Sequence, residues 1–259
     1  MGKANINSRI IGVVGGMGPL AGMDLSMKIF SQTLAEKDQD HLPVILYSTP
    51  QLIGDRTEYL SGRIKENPGN VIAQILFDLE SMGCSVAGLS CNTAHAPQIF
   101  GVIQKKLSEK NSSIKLLHMI NEVGVFIKLY YPEVTNVGIL GTNGTYYSNL
   151  YGILSDFDFM TINVSPEEQE NVHAAIYHHD YGIKSTINEI KKEASAKLFH
   201  AADSLIEKKS ELIVLGCTEL PLVFKETNYK GITLVDSTMV LARALIKEHS
   251  PQKLKPWLP

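Results

Sequence analysis

The sequence predicts an α/β fold built from two similar halves, each a parallel sheet flanked by helices, facing one another across a cleft. Three observations carry this. Short runs of four or five apolar residues alternate with longer amphipathic stretches, the pattern of strands buried on both faces and joined by helical crossovers. Two segments recur along the chain: Ile11-Gly12-Val13-Val14-Gly15-Gly16-Met17-Gly18 returns as Val137-Gly138-Ile139-Leu140-Gly141-Thr142-Asn143-Gly144, and Ala87-Gly88-Leu89-Ser90-Cys91-Asn92 returns as Ile213-Val214-Leu215-Gly216-Cys217-Thr218. The spacing is constant: 12 and 138, 15 and 141, 18 and 144, and 91 and 217 all differ by 126.

The strands expected are Ile10–Val14, Val44–Ser48, Val86–Ser90, Lys115–His118, Val137–Leu140, Leu212–Leu215 and Thr233–Val235. Helical periodicity covers Leu20–Leu34, Val71–Met82, Gln98–Leu107, Asn121–Tyr130, Thr186–Lys208 and Met239–Lys247. The acidic run after Pro166 reads as one more helix start, favoured by the dipole. A first domain is expected over 1–117, with the tail 226–259 returning to it, and a second over 118–225.

A chain of 259 residues with 44% hydrophobic and 20% charged residues can bury a proper core. The net charge of −3 gives no reason to expect nucleic acid or an anionic membrane as partner. No apolar run reaches the length of a membrane span, and Met1–Arg9 does not read as a secretion signal. Three cysteines, an odd number, suit a reducing cytoplasm better than a disulfide framework.

Gly15-Gly16-Met17-Gly18-Pro19 follows a strand and precedes a helix, where glycine lets the backbone turn tightly and a helix N-terminus suits an anion. A plain tight turn is the competing reading. As a dinucleotide fingerprint the segment is weak: Ala21 takes the third glycine slot, and no acidic residue closes the second strand, which runs into Thr49-Pro50.

Cys91 and Cys217 each fall just past a strand, where open α/β sheets place their ligands. One unpaired cysteine is most often a small buried hydrophobe, and Cys84, expected before its strand, reads that way. Two at matched positions, flanked by Asn92 and Thr93 and by Thr218, point instead to a site with a thiol on each side. Zinc lacks a ligand set here. His178-His179 is not read as a metal site, since neighbours on a helix do not face the same way. His41, His95 and His173 read as hydrogen-bonded structural groups.

Gly15-Gly16-Met17-Gly18-Pro19, Asp55-Arg56-Thr57, Cys91-Asn92-Thr93-Ala94-His95 and Gly216-Cys217-Thr218-Glu219 together resemble the aspartate/glutamate racemase family, most closely its aspartate-racemase branch. The resemblance runs through nearly the whole chain. It implies a cofactor-independent amino-acid racemase of two pseudo-twofold-related domains, the active site between them, in many members as a homodimer. Cys91 and Cys217 would be the two bases. Asn92, Thr93 and Thr218 would bind the substrate's amino and carboxylate groups, Met17 and its turn would line the pocket, and Arg56 would bind a carboxylate. Thr142, the counterpart of Gly16, is either a further donor or a helix N-cap. Lys184 or Tyr181 would meet the distal carboxylate. Hydantoin racemase or maleate isomerase chemistry, or a non-catalytic binding module, are the rival readings.

Overall fold

The computed structural model describes residues 9–186 and 189–258. In chain order the elements are β1 (Ile10–Gly15), α1 (Pro19–Gln32), β2 (Val44–Ser48), α2 (Arg56–Leu60), α3 (Gly69–Ser81), β3 (Cys84–Leu89), α4 (Pro97–Glu109) and β4 (Lys115–Leu116). Then follow α5 (Met119–Tyr130), β5 (Asn136–Gly141), α6 (Asn143–Tyr147), β6 (Met160–Ile162), α7 (Pro166–Tyr177), α8 (Lys192–Glu207), β7 (Leu212–Gly216), β8 (Asn228–Tyr229), β9 (Ile232–Asp236) and α9 (Ser237–His249).

They form two sheets. The first has the order β2-β1-β3-β4 and the second β6-β5-β7-β9-β8; every pairing is parallel except β8 with β9. The first four strands of the second sheet thus repeat the order of the first. The expected α/β class with paired parallel sheets is the architecture found.

Side-chain alternation along each strand divides the core. Ile11, Val13 and Val86 of the first sheet and Val137, Ile139, Leu212 and Val214 of the second share one cluster with residues of α1, α5 and α9. The opposite faces pack outward. Val14, Ala87 and Leu89 lie under α3 and α4, and Leu140, Ile213 and Leu215 under α7 and α8. The continuous apolar runs seen in the sequence follow from this, because each central strand is covered on both sides.

Several boundaries differ from the sequence reading. Cys84 opens β3 rather than preceding it. The helix expected over 186–208 begins at Lys192: Ser185 and Thr186 donate back to the Gly182 carbonyl and close a turn first, and Ile187 and Asn188 lie outside the described residues. The chain does not return to the first half at 226. Asn228–Tyr229 and Ile232–Asp236 still belong to the second sheet, where Ile213 and Val214 pair with Leu234 and Val235; the return begins at Ser237, and α9 packs against α1 and β3. Short elements such as α2, α6, β6 and β8 lack the length for a periodic signal.

Candidate active site

Both glycine turns and both cysteines lie at the C-terminal ends of the central strands. After β1 the chain turns at Gly16, whose φ is +89°; a side chain there would also press on the backbone nitrogens of Thr49 and Pro50, at 3.0 and 2.9 Å. After β5, Thr142 caps α6 by accepting from the Thr145 N–H at 3.4 Å. The N-cap alternative for Thr142 is therefore realised, and its hydroxyl also stands 3.3 Å from that of Thr93. With Thr145, 3.4 Å from both, these hydroxyls form a buried triad joining the two halves.

Cys91 follows β3 and Cys217 follows β7, and they are 6% and 5% exposed. His95 donates Nδ1–H to the Cys91 carbonyl at 2.9 Å. Burial among apolar groups and the neighbouring His118 push its pKa down to about 3, so the imidazole is neutral. Asn92 donates to Ser237 Oγ at 3.1 Å and accepts from Tyr151 OH at 2.6 Å, tying α9 and the segment after α6 to the first cysteine loop.

Arg56 opens α2, which Asp55 caps by accepting from the Glu58 N–H at 2.9 Å. Its guanidinium is buried. Nη1 donates to the Gly54 carbonyl at 3.0 Å and Nη2 to the Met17 carbonyl at 3.1 Å, so Arg56 clamps the first glycine turn. Nε has no hydrogen-bond partner among the described residues. Burial alone would weaken this cation, but Cys91 first and Asp55 second outweigh it and hold the proton more firmly. Met17 itself is buried in the first half's outer core, the cluster that also holds Cys91.

The second cysteine has another kind of neighbour. Cys217 Sγ donates to Glu219 Oε2 at 3.0 Å, and Thr218 Oγ1 to the same oxygen at 3.1 Å. Lys184 Nζ meets Oε1 at 2.7 Å. Burial pushes the Glu219 carboxyl up, but Lys184 and the thiol and hydroxyl donors hold it below its ordinary value. Burial and the Glu219 charge push the Cys217 thiol well above its own. Lys184 is placed by its main chain: Ile183 and Lys184 donate to the carbonyls of Ala175 and Ile176, folding the loop back on the end of α7.

Of the two residues left open by the sequence, Lys184 is brought to the cysteine and Tyr181 is not. Tyr181 stacks on His178, with ring centroids 3.9 Å apart. His178, His179 and Asp180 do group their ligand atoms together, because α7 ends at Tyr177, but they do so on the exposed side of the loop. Tyr177 was not singled out by sequence. It donates to Asp55 Oδ2 at 3.1 Å, and Lys184 Nζ lies 5.3 Å from its ring centre. It therefore stands between buried Arg56 and half-buried Lys184, at the last position of a helix whose polar surface gives no local signal of function.

The candidate residues comprise two thiols, two cations, two carboxylates and a set of hydroxyl and amide donors, drawn from both halves. The Asp/Glu/hydantoin racemase family model matches residues 14–245. The chain is 33% identical to the Picrophilus torridus aspartate racemase, with a TM-score of 0.78 over 95% of this chain and 96% of that one. An aspartate racemase homologue from Pyrococcus horikoshii shares the fold at 20% identity, with a TM-score of 0.70 over 93% of this chain and 99% of that one. Glutamate racemase from Francisella tularensis, solved with D-glutamate, shares it at 17% identity, with a TM-score of 0.65 over 98% and 85%. From its glycine turns to its paired cysteine loops, the chain belongs to the Asp/Glu/hydantoin racemase family.

Proposed function

We propose that this protein is a cofactor-independent amino-acid racemase that inverts aspartate, with Cys91 and Cys217 as the bases on opposite faces of the α-carbon. The observation that carries the reading is the pair of buried cysteines at equivalent strand ends, each with a cation close by. Racemisation removes a proton from one face and returns one to the other, and a thiol on each side does both within one bound geometry.

The substrate class follows from charge. Arg56, buried, and Lys184, half-buried, both stand close to Tyr177, which suits an amino acid carrying two carboxylates. An arginine fork binds a carboxylate through paired donors. The removed proton leaves electron density on the α-carbon and the adjoining carboxylate, and preorganised donors stabilise that charge. Asn92, Thr93, Thr142 and Thr218 are the donors offered for it. The hydroxyls of Thr93 and Thr142 hold each other only at 3.3 Å and have bonding capacity left for a ligand.

The test is solvent-deuterium incorporation at Cα. Purified protein is incubated in heavy water with L- and D-aspartate and, separately, L- and D-glutamate, with no cofactor added. Exchange with inversion of aspartate is expected, and Cys91→Ala and Cys217→Ala should each abolish inversion. No exchange with either pair, or full inversion by a single-cysteine variant, overturns the reading.

A further inference from the structure

Tyr177 ends α7 in the second half, and its hydroxyl donates across the cleft to Asp55 Oδ2 of the first half at 3.1 Å. Asp55 is itself fixed: Oδ1 accepts from the Glu58 N–H at 2.9 Å and so caps α2. The ring of Tyr177 stacks on His173, one turn earlier on the same helix, with centroids 4.7 Å apart and planes 29° apart. His173 is held in turn, because its Nδ1 accepts from the Asn143 N–H at 3.4 Å. The phenol is thus tied at its tip and packed along its ring.

Lys184 Nζ stands 5.3 Å from the centre of that ring. The loop that brings it there depends on Gly182. A side chain at Gly182 would press on the main-chain nitrogen and oxygen of His178, each at 2.5 Å, and on the Ile176 oxygen at 2.9 Å. With none, Ile183 and Lys184 donate to the carbonyls of Ala175 and Ile176. Lys184 is therefore tied by its main chain to the helix end that carries Tyr177. One of its three N–H donors serves Glu219 at 2.7 Å, which leaves two for a ligand. Beyond Asp55, whose Oδ2 lies 3.9 Å from Arg56 Nη2, the arginine donates to the Gly54 and Met17 carbonyls and keeps further N–H groups free. Two cations with donors to spare, one of them tied to a fixed ring, set a length as well as a charge.

Resting on the two-carboxylate site of the racemase reading, we propose that Tyr177 selects the substrate by length: its ring is the wall that admits aspartate and turns away glutamate, one methylene longer. The longer chain must either move a phenol held by Asp55 and His173 or leave one carboxylate short of its cation. Lys184 gives no relief, since it is anchored to the same helix end. A pocket that does not yield separates such homologues by about 10- to 200-fold.

Titration calorimetry with racemic aspartate and racemic glutamate tests this. Turnover leaves a racemate unchanged, so the heat reports binding alone. The unsubstituted protein should bind aspartate about tenfold or more tighter than glutamate. Tyr177→Phe keeps the ring and loses the bond to Asp55; it should keep that preference to within about threefold. Tyr177→Ala should bring the two affinities to within about threefold of each other, chiefly through tighter binding of glutamate. Tyr177→Leu, which retains an apolar contact for His173, answers the same question where the alanine variant does not fold.

A residue that merely held the two halves together would weaken both ligands alike when shortened. That result overturns the assignment. So do binding of neither ligand or equal binding of both by the unsubstituted protein, and loss of the preference in Tyr177→Phe. Deuterium exchange decides the racemase reading separately. Exchange with an unaltered preference in the shortened variants removes Tyr177 and leaves the racemase. Selective binding of aspartate without exchange removes the racemase and leaves the selection by length.

Discussion

Replacing Lys184 by Met removes the cation that keeps Glu219 charged inside the protein. At 2.7 Å and an effective dielectric constant of about 20, the attraction is on the order of 6 kcal/mol, set against the desolvation of both groups. Breaking a buried pair from one side costs about 3–5 kcal/mol, because the other charge is stranded. The Lys184 side chain is 21% exposed, which places the expected loss near the lower end, about 3 kcal/mol at neutral pH. The pH dependence carries the diagnosis. In the unsubstituted protein the Glu219 carboxyl is held below its ordinary value. Its contribution is present above the ordinary carboxylate range and is lost as pH falls through the lowered value. Without Lys184, burial holds the carboxyl above its ordinary value instead. The penalty is then largest near neutrality and shrinks on acidification by up to about 1.4 kcal/mol per unit. Urea unfolding followed by circular dichroism, near neutrality and again about two pH units lower, measures this. Adding Glu219→Gln to Lys184→Met should recover most of the loss, since no charge is then stranded. A single variant within about 0.5 kcal/mol of the unsubstituted protein near neutrality, or a deficit that does not change with pH, refutes the reasoning.

His95, depressed to about 3, is buried as a neutral ring. Its contribution is complete above the ordinary histidine value and is lost as pH falls from there toward the lowered one, at about 1.4 kcal/mol per unit. His95→Gln should therefore flatten the acid limb of stability measured by urea unfolding; an unchanged slope counts against the assignment. Cys84, pushed up to about 11 by burial, should resist alkylation near neutrality, and Cys84→Ala should leave turnover as it was. Labelling of Cys84 at the rate of a free thiol contradicts this.

The fold was legible because both of its signals are periodic. A strand covered on two faces must be apolar throughout, and a helix on a sheet must carry one apolar stripe. The matched spacing of Gly12 with Gly138, and of Cys91 with Cys217, reflects two sheets of the same strand order. It extends to a pair the sequence did not single out: Cys84 and Ser210, also 126 apart, each lie beside the glycine of the neighbouring strand, Gly12 and Gly138. Motif-bearing residues of the site, such as Arg56, were visible because short turns fix them. Tyr177 was not, since its role comes from where α7 ends relative to Asp55, a tertiary distance with no local signature. The expected return at 226 failed for a related reason. Nothing in the short run Thr233–Val235 says which sheet it joins; the pairing with β7 decides that.

The last helix gives the protein an order of assembly. By residue 116 all four strands of the first sheet have been made, yet Leu241 and Leu245, fully buried and next to Gly88 on β3, come from α9. α9 in turn starts directly at the end of β9, a strand of the other sheet. During synthesis one face of the first sheet thus stays open until the second sheet has closed. The two halves, so alike in plan, are tied together late, and the first cysteine loop gains Ser237, the partner of Asn92, only with that helix.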